Sequence, residues 1–215
     1  MDWHDITDLP FADALEPHSG GLSPDSVYDT VHFDRVTFAD ERAASSRFID
    51  CAFTGVTVQG GRLQRARFSD VLLRDVRLVT TSLAETSWAG VTAERSMAAG
   101  VEAFGAQLRR VTFRGCKLDS VNFREARLTD VTFDSCDLRD VDFAGATLTR
   151  TAFPGSRLAR TDFSRARLAG TDLRGAELGI IIGADSLRGA IVSTGQLAFL
   201  APLLAETLGI VVSDD

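Results

Sequence analysis

Large apolar residues recur at every fifth position from Phe33 to Leu178. Of these 30 positions 11 are Phe and 13 are Leu, Val58 and Trp88 add two more, and only Ala43, Ala93, Ala98 and Ala103 are small. Two residues before each of them the chain is Ala, Val, Thr, Ser, Cys or Gly in 29 of 30 cases, Glu41 being the exception. A period of five fits neither standard element. Five residues advance an α-helix by about 500°, so no face stays apolar. In a straight strand five steps invert the side chain. Within one unit, however, the small and the large position are two apart, which in extended backbone puts both on one side. Both point inward if the chain turns between units. The second residue of that turn is Gly in ten units and Asp or Ser in nine, residues that tolerate turn geometry. The pattern therefore predicts an all-β coil of short extended pieces, stacked so that each coil satisfies the backbone groups of the next by parallel ladder bonds.

Units such as Val141-Asp142-Phe143-Ala144-Gly145 and Thr171-Asp172-Leu173-Arg174-Gly175 resemble the pentapeptide-repeat family, whose units run roughly A(D/N)Lxx. The resemblance implies a right-handed quadrilateral parallel β-helix, with four units per turn and a true period of about 20 residues. About seven and a half coils at a spacing of ~4.8 Å would make a rod roughly 36 Å long. From Phe113 to Leu168 Phe and Leu alternate strictly, so each of four walls would carry one type.

Two stretches depart from the chemistry of the unit. Glu41 to Ser45 puts a charge at a small position and Ala43 at a large one, which predicts a bulge or short loop. From Ala93 to Ala103 three successive large positions are Ala, while Met97 and Phe104 stand at outward positions. Either the coil narrows or kinks there, or Met97 and Phe104 turn inward. Residues 1–30, with Trp3, Ile6, Leu9, Phe11 and Leu15 among acids, lack the pattern and are expected to cap the first open coil. Residues 31–183 are expected to form the β-helix. Residues 184–215 are expected to supply a short C-terminal α-helical cap, starting at Ser193 or Thr194 and stopping at Gly209, with Pro202 as a possible kink and Ile210-Val211-Val212 as a short strand. Leu197, Leu200, Leu204 and Leu208 lie on one stripe of that helix, flanked by Phe199 and Leu203. With Ile210 and Val212 they are the candidates for a homodimer interface, an assignment implied by the resemblance to family members that dimerise through such a module.

Composition narrows the function. The chain has 215 residues, 45% of them hydrophobic and 25% charged, a globular composition. No apolar run approaches the ~20 residues of a membrane helix. The acidic start lacks a secretory pattern, so a cytoplasmic location is expected. Cys51, Cys116 and Cys136 all fall at the small inward position, where a buried reduced thiol is expected. His4, His18 and His32 have no metal spacing. With one lysine, Lys117, and no phosphate loop or nucleophile elbow, no catalytic, cofactor-binding or metal residue is expected.

The net charge of −7 is uneven: residues 1–50 carry −8, 51–107 +1, 108–180 +3 and 181–215 −3. Sorted by a 20-residue register, one wall gathers Arg47, Arg67, Arg109, Arg110, Arg127, Arg150 and Arg167 against Asp50, Asp70 and Asp130. Three of these arginines precede an aspartate by three residues, which suggests a solvated ion ladder. Asp119, Asp137, Asp140 and Asp142 could form an acidic stripe across two walls. The resemblance extends to the Qnr and MfpA group, dimeric rods that bind DNA gyrase or topoisomerase IV and protect it from quinolone-type inhibitors. It implies a non-catalytic protein-interaction rod. The alternatives are a rigid scaffold for another protein partner and, with less support, a nucleic-acid binder through the arginine wall.

Overall fold

The computed structural model describes residues 3–213, and within them the five-residue unit becomes a corner. Every fifth residue from Asp25 to Gly175 has φ between +47° and +78°. Only ten of these corners are Gly. The others carry a Cβ in the left-handed region, which costs roughly 1–2 kcal/mol each. The corner amide still joins the ladder: Asp40 N donates to Gln59 O at 2.8 Å and Gly55 N to Arg74 O at 2.9 Å. Arg110, at φ 53°, is an exposed corner with no ion pair among the described residues. Arg110→Gly is therefore expected to stabilise the rod by about 1 kcal/mol, read as a higher urea midpoint at unchanged slope.

Corners every five residues close a four-walled coil in which residue i pairs in parallel with residue i+20. Wall one contains Val31–Asp34, Ala52–Thr54, Leu72–Arg74 and Thr92–Glu94. Wall two runs from Thr37–Ala39 to Glu177–Leu178. Wall three is held by single bridges, from Arg42↔Arg62 to Asp142↔Asp162. Wall four runs from Val27–Asp29 to Arg167–Ala169. The strands Gln107–Arg114 and Arg127–Asp134 pass through the corner from wall four into wall one.

The interior sorts by wall as the alternation predicts. Phe113, Phe133 and Phe153 stack on wall one at centroid spacings of 4.8 and 4.9 Å, and Phe123, Phe143 and Phe163 on wall three at 5.4 and 5.5 Å. Leu118, Leu138 and Leu158 line wall two and Leu128, Leu148 and Leu168 wall four, all buried. The small inward position tolerates a hydroxyl because a carbonyl of the coil before is in reach. Ser156 Oγ donates to Phe133 O at 2.7 Å, and Thr171 Oγ1 to Leu148 O at 3.1 Å. Cys51, Cys116 and Cys136 are free and buried there. Burial pushes the Cys51 thiol up to about 11, so it is not a nucleophile at neutral pH.

Several expectations are corrected. No bulge forms at residues 41–45: Arg42 keeps its bridge to Arg62, Ala43 is fully buried, and Ser45 takes the regular corner. Leu22, from the preceding segment, joins the core and supplies bulk near this end. At residues 93–103 the coil neither breaks register nor turns Phe104 inward. Met97, Ala98 and Ala99 pair on both sides, and Phe104 stays exposed.

The N-terminal segment divides its work. Glu16–Pro17 extend wall one by pairing with Val31 and His32, and the His18 ring packs on Phe33 at 4.9 Å. Residues 3–15 do not lie over the end of the rod. They run along the outside of wall one, where Trp3 and Leu9 are buried against the outward side chains Ala52 and Leu72. Asp5 pairs with Arg74, and Arg114 Nη1 lies 2.8 Å from His4 Nδ1.

At the other end the ladder continues past residue 183, with Ala190–Ile191 pairing onto Thr171–Asp172. The helix Thr194–Thr207 follows, with Ser193 and Gln196 forming a capping box and Pro202 retained inside it. Gln196 Nε2 donates to the carbonyls of Leu173 (2.6 Å) and Ala176 (2.8 Å) of the last coil, tying the start of the helix to it. Residues 210–212 form no strand; they run past the helix as exposed chain without a ladder partner.

Candidate interaction surfaces

Outward side chains follow the backbone ladder. Axial neighbours, 20 residues apart, are ~4.8 Å from each other, whereas residues three apart along a strand are separated by about 10 Å. Several ion pairs accordingly run along the axis, beside sequence-local pairs such as Arg35 with Asp34 and Arg174 with Asp172. Arg150 Nε meets Asp130 Oδ1 at 2.6 Å, Arg160 Nε meets Asp140 Oδ1 at 2.6 Å, and Arg95 meets Asp75 at 2.9 and 3.1 Å. The pairs expected from a spacing of three, Arg47 with Asp50, Arg67 with Asp70 and Arg127 with Asp130, are absent among the described residues. Those partners sit on opposite edges of wall four.

This geometry divides the predicted site residues. Arg47, Arg67, Arg127 and Arg167 occupy one edge of wall four, all exposed and none in an ion pair among the described residues. Arg65 and Arg165 stand at the adjoining corners and line the same shallow clefts. Arg109 and Arg110 lie toward the far edge, also unpaired among the described residues, while Arg150 is neutralised by Asp130. Of the four acidic candidates, two are ion-paired with arginine and two have a cationic residue as axial neighbour. Asp140 pairs with Arg160, Asp142 with Arg124 at 3.0 Å, and Asp137 stands in the ladder between Lys117 and Arg157. Asp119 has Arg139 as its axial neighbour. No continuous unpaired acidic stripe results.

Paired carboxyls also respond to acid. The hydrogen-bonded guanidinium of Arg150 holds Asp130 below the usual carboxylate range, and Arg160 does the same for Asp140. A depressed folded-state pKa adds stability that is present above the unfolded carboxylate value, about 4, and is lost as pH falls through and below it. Asp50 is the opposite case, raised first by burial and then by Asp70 and Asp29. The melting temperature is expected to fall between pH 5 and about pH 3, and less steeply in an Asp130→Asn, Asp140→Asn variant or in 1 M salt. An identical slope in the variant would contradict the axial pairing.

The C-terminal helix uses its apolar side chains in two directions. Leu200 is 2% exposed, and Leu203 and Leu204 pack partly buried on the last coil. These three seal the rod and are not free for a second copy. Phe199 at 58% and Leu208 at 73% face away, together with Leu197, Ile210 and Val212.

One contact surface was missed from the sequence: the outer side of wall one. Its signal was there in Ala52 and Leu72, two apolar residues 20 apart at positions that elsewhere are mostly polar.

The closed apolar interior, the five-residue corner and the 20-residue parallel ladder define a quadrilateral β-solenoid whose available chemistry lies on its outer walls. Residues 106–180 match the family model for the pentapeptide repeat region, and the chain carries such a region. No curated protein matches the chain in sequence. Among solved structures it is similar to HetL, a pentapeptide repeat protein involved in heterocyst differentiation regulation from the cyanobacterium Nostoc. Identity is 18%, with 82% of this chain and 93% of that one covered and a TM-score of 0.47. It is also similar to a trypsin-treated form of QnrB1, a plasmid-mediated fluoroquinolone resistance protein. Identity there is 22%, coverage 87% and 100%, and the TM-score 0.46. No helix among the described residues is long and apolar enough to cross a membrane.

Proposed function

We propose that the chain is a non-catalytic cytoplasmic interaction rod, a homodimer through its C-terminal segment, that engages a protein partner along the arginine edge of wall four. The observation that carries this reading is the row of Arg47, Arg67, Arg127 and Arg167 along one edge of wall four, exposed and without an ion pair among the described residues, with Arg65 and Arg165 at the adjoining corners. The row spans six coils, about 29 Å at ~4.8 Å each. Rigidly spaced guanidiniums suit a partner that offers carboxylates in bidentate reach. Binding is expected to weaken with salt and to be lost in the Arg67→Gln, Arg127→Gln, Arg167→Gln variant. Retention of DNA by the same row, with equal salt sensitivity, would move the reading to nucleic acid.

The first partner to test is DNA gyrase or topoisomerase IV, because the sequence resembles the Qnr and MfpA group. Supercoiling is measured with and without a fluoroquinolone while the protein is titrated from nanomolar to micromolar. Protection or inhibition identifies the partner. No effect at any concentration rejects gyrase and leaves the scaffold reading, with the partner sought by cross-linking. Polyanion mimicry is not the proposed route, since residues 51–107 carry +1 and residues 108–180 carry +3. For the dimer, sedimentation of the wild type is expected at twice the monomer mass, and of Phe199→Glu, Leu208→Glu at the monomer mass. A monomeric wild type would remove the homodimer from the proposal.

A further inference from the structure

We propose that the middle of the rod contains a binding site for a small apolar molecule, about one or two heavy atoms in size, in the space left by Ala93, Ala98 and Ala103. These are three consecutive inward positions, on walls one, two and three of a single coil, and the coils on either side fill the same positions with Leu73, Leu78 and Leu83 or Phe113, Leu118 and Phe123. In an ordinary core the surroundings relax toward missing atoms, but only partially. Here the main chain has little freedom to follow. The ladder is continuous through this coil, with Met97 N donating to Val76 O at 2.8 Å, Lys117 N to Ser96 O at 3.0 Å and Ala103 N to Asn122 O at 2.8 Å. Wall separation is thus set by hydrogen bonds and corners, not by the side chains between them.

Trp88, from the fourth wall, enters part of the space and is held there. Its indole N–H donates to Thr86 Oγ1 at 3.0 Å, and its ring is tilted by 42° to Phe68 and 35° to Phe113 instead of stacking on either. A cavity of about 50 Å³ remains, lined chiefly by aliphatic and aromatic side chains. Leu78 and Ala98, whose positions point inward, are only half-buried.

Water is a poor occupant. A buried water needs two to four polar partners, and the hydroxyls in the lining are already engaged. Thr86 Oγ1 donates to Leu83 O at 2.7 Å while accepting from Trp88. Ser96 Oγ accepts from Val76 N at 3.0 Å and lies within reach of the Leu73 and Glu94 carbonyls. Apolar cavities of about 150 Å³ stay dry and take benzene or xenon. A space about one third as large selects a smaller guest of the same character, such as a single xenon atom or a hydrocarbon of about one or two carbons.

The site is independent of the partner-binding reading, and xenon is the probe. In methyl-resolved NMR of the full chain under xenon pressure, saturable shifts are expected for Leu73, Leu78, Leu118, Ala93, Ala98 and Ala103, with distant methyls such as Leu158 unmoved. Ala98→Leu should abolish the shifts and raise the melting temperature by a few degrees. Because Leu could overpack the site, Ala103→Val, a smaller filling, is measured beside it and should weaken the shifts. The proposal is overturned if wild-type shifts are absent or not saturable, if they persist unchanged in both folded variants, or if water-to-methyl cross-relaxation shows the space hydrated.

Discussion

Replacing Phe133 with aspartate is expected to abolish the folded rod. Phe133 is fully buried on wall one, stacked between Phe113 and Phe153. A carboxylate there would have no partner, and a lone buried charge costs more than about 5 kcal/mol, of the order of a domain's whole stability. Solenoid stability is a sum of coil and interface contributions, so a failure at this level also removes the interface on each side. The expected readout is loss of the far-ultraviolet β signal and of soluble expression. Two neighbours make the result specific. Phe133→Leu keeps an apolar side chain that wall two already accommodates and should cost only about 1 kcal/mol. Thr132→Asp, one residue away and facing outward in a ladder with Thr112 and Ala152, should change stability by less than about 1 kcal/mol. A soluble, cooperatively melting Phe133→Asp protein would show that the inward and outward assignments are wrong.

The second large effect is expected at Gly183, where the rod passes into its C-terminal segment. Its φ is +77°, and an added Cβ would fall on the main-chain N and Cα of Ser164 in the coil below. This contact involves backbone, so no side-chain rotation relieves it. Gly183→Ala should cost about 3 kcal/mol, confined to the last turn. Ile181–Ile182 would lose their pairing with Thr161–Asp162, and the helix would no longer bring Leu200 and Gln196 onto the final coil. Limited proteolysis should then trim the chain beyond about residue 180 while a resistant body survives. Wild-type resistance in this variant would mean that the last turn adapts its backbone, contrary to the close approach seen there.

The parts of this fold legible in the sequence are those governed by burial. A large and a small inward residue in each unit, and a corner that favours Gly, Asp or Ser, were sufficient to derive the coil, because only a closed interior explains a period of five. Arg35, Arg65, Arg95 and Arg160 at left-handed corners show that this preference is a bias. The ladder imposes the conformation where the residue alone would not. What escaped the sequence was decided between elements. Asp130 lies three residues from Arg127 and 20 from Arg150, and only the axial rise makes the second the partner. The segment from Trp3 to Leu15 has no period of its own, so its destination depended on two outward apolar residues, Ala52 and Leu72. Glu41 and the alanines at 93–103 suggested irregular backbone, yet continuous hydrogen bonding kept the register and left a void in the middle of the rod. The unpaired state of Arg47, Arg67, Arg127 and Arg167 could not be read from charge counts, since aspartates lie on the same wall at its opposite edge.

The corner repeats every five residues and the coil closes every 20, and this mismatch acts as an indexing mechanism. Inserting or deleting one unit preserves every corner and every inward position, but turns everything downstream by a quarter of a revolution about the axis. Four such units restore the heading and alter only the length. The angle between the arginine edge and the C-terminal helix is therefore a dial with four settings. A change of five residues between them would swing the arginine edge to another heading relative to the C-terminal helix while every inward position stayed apolar.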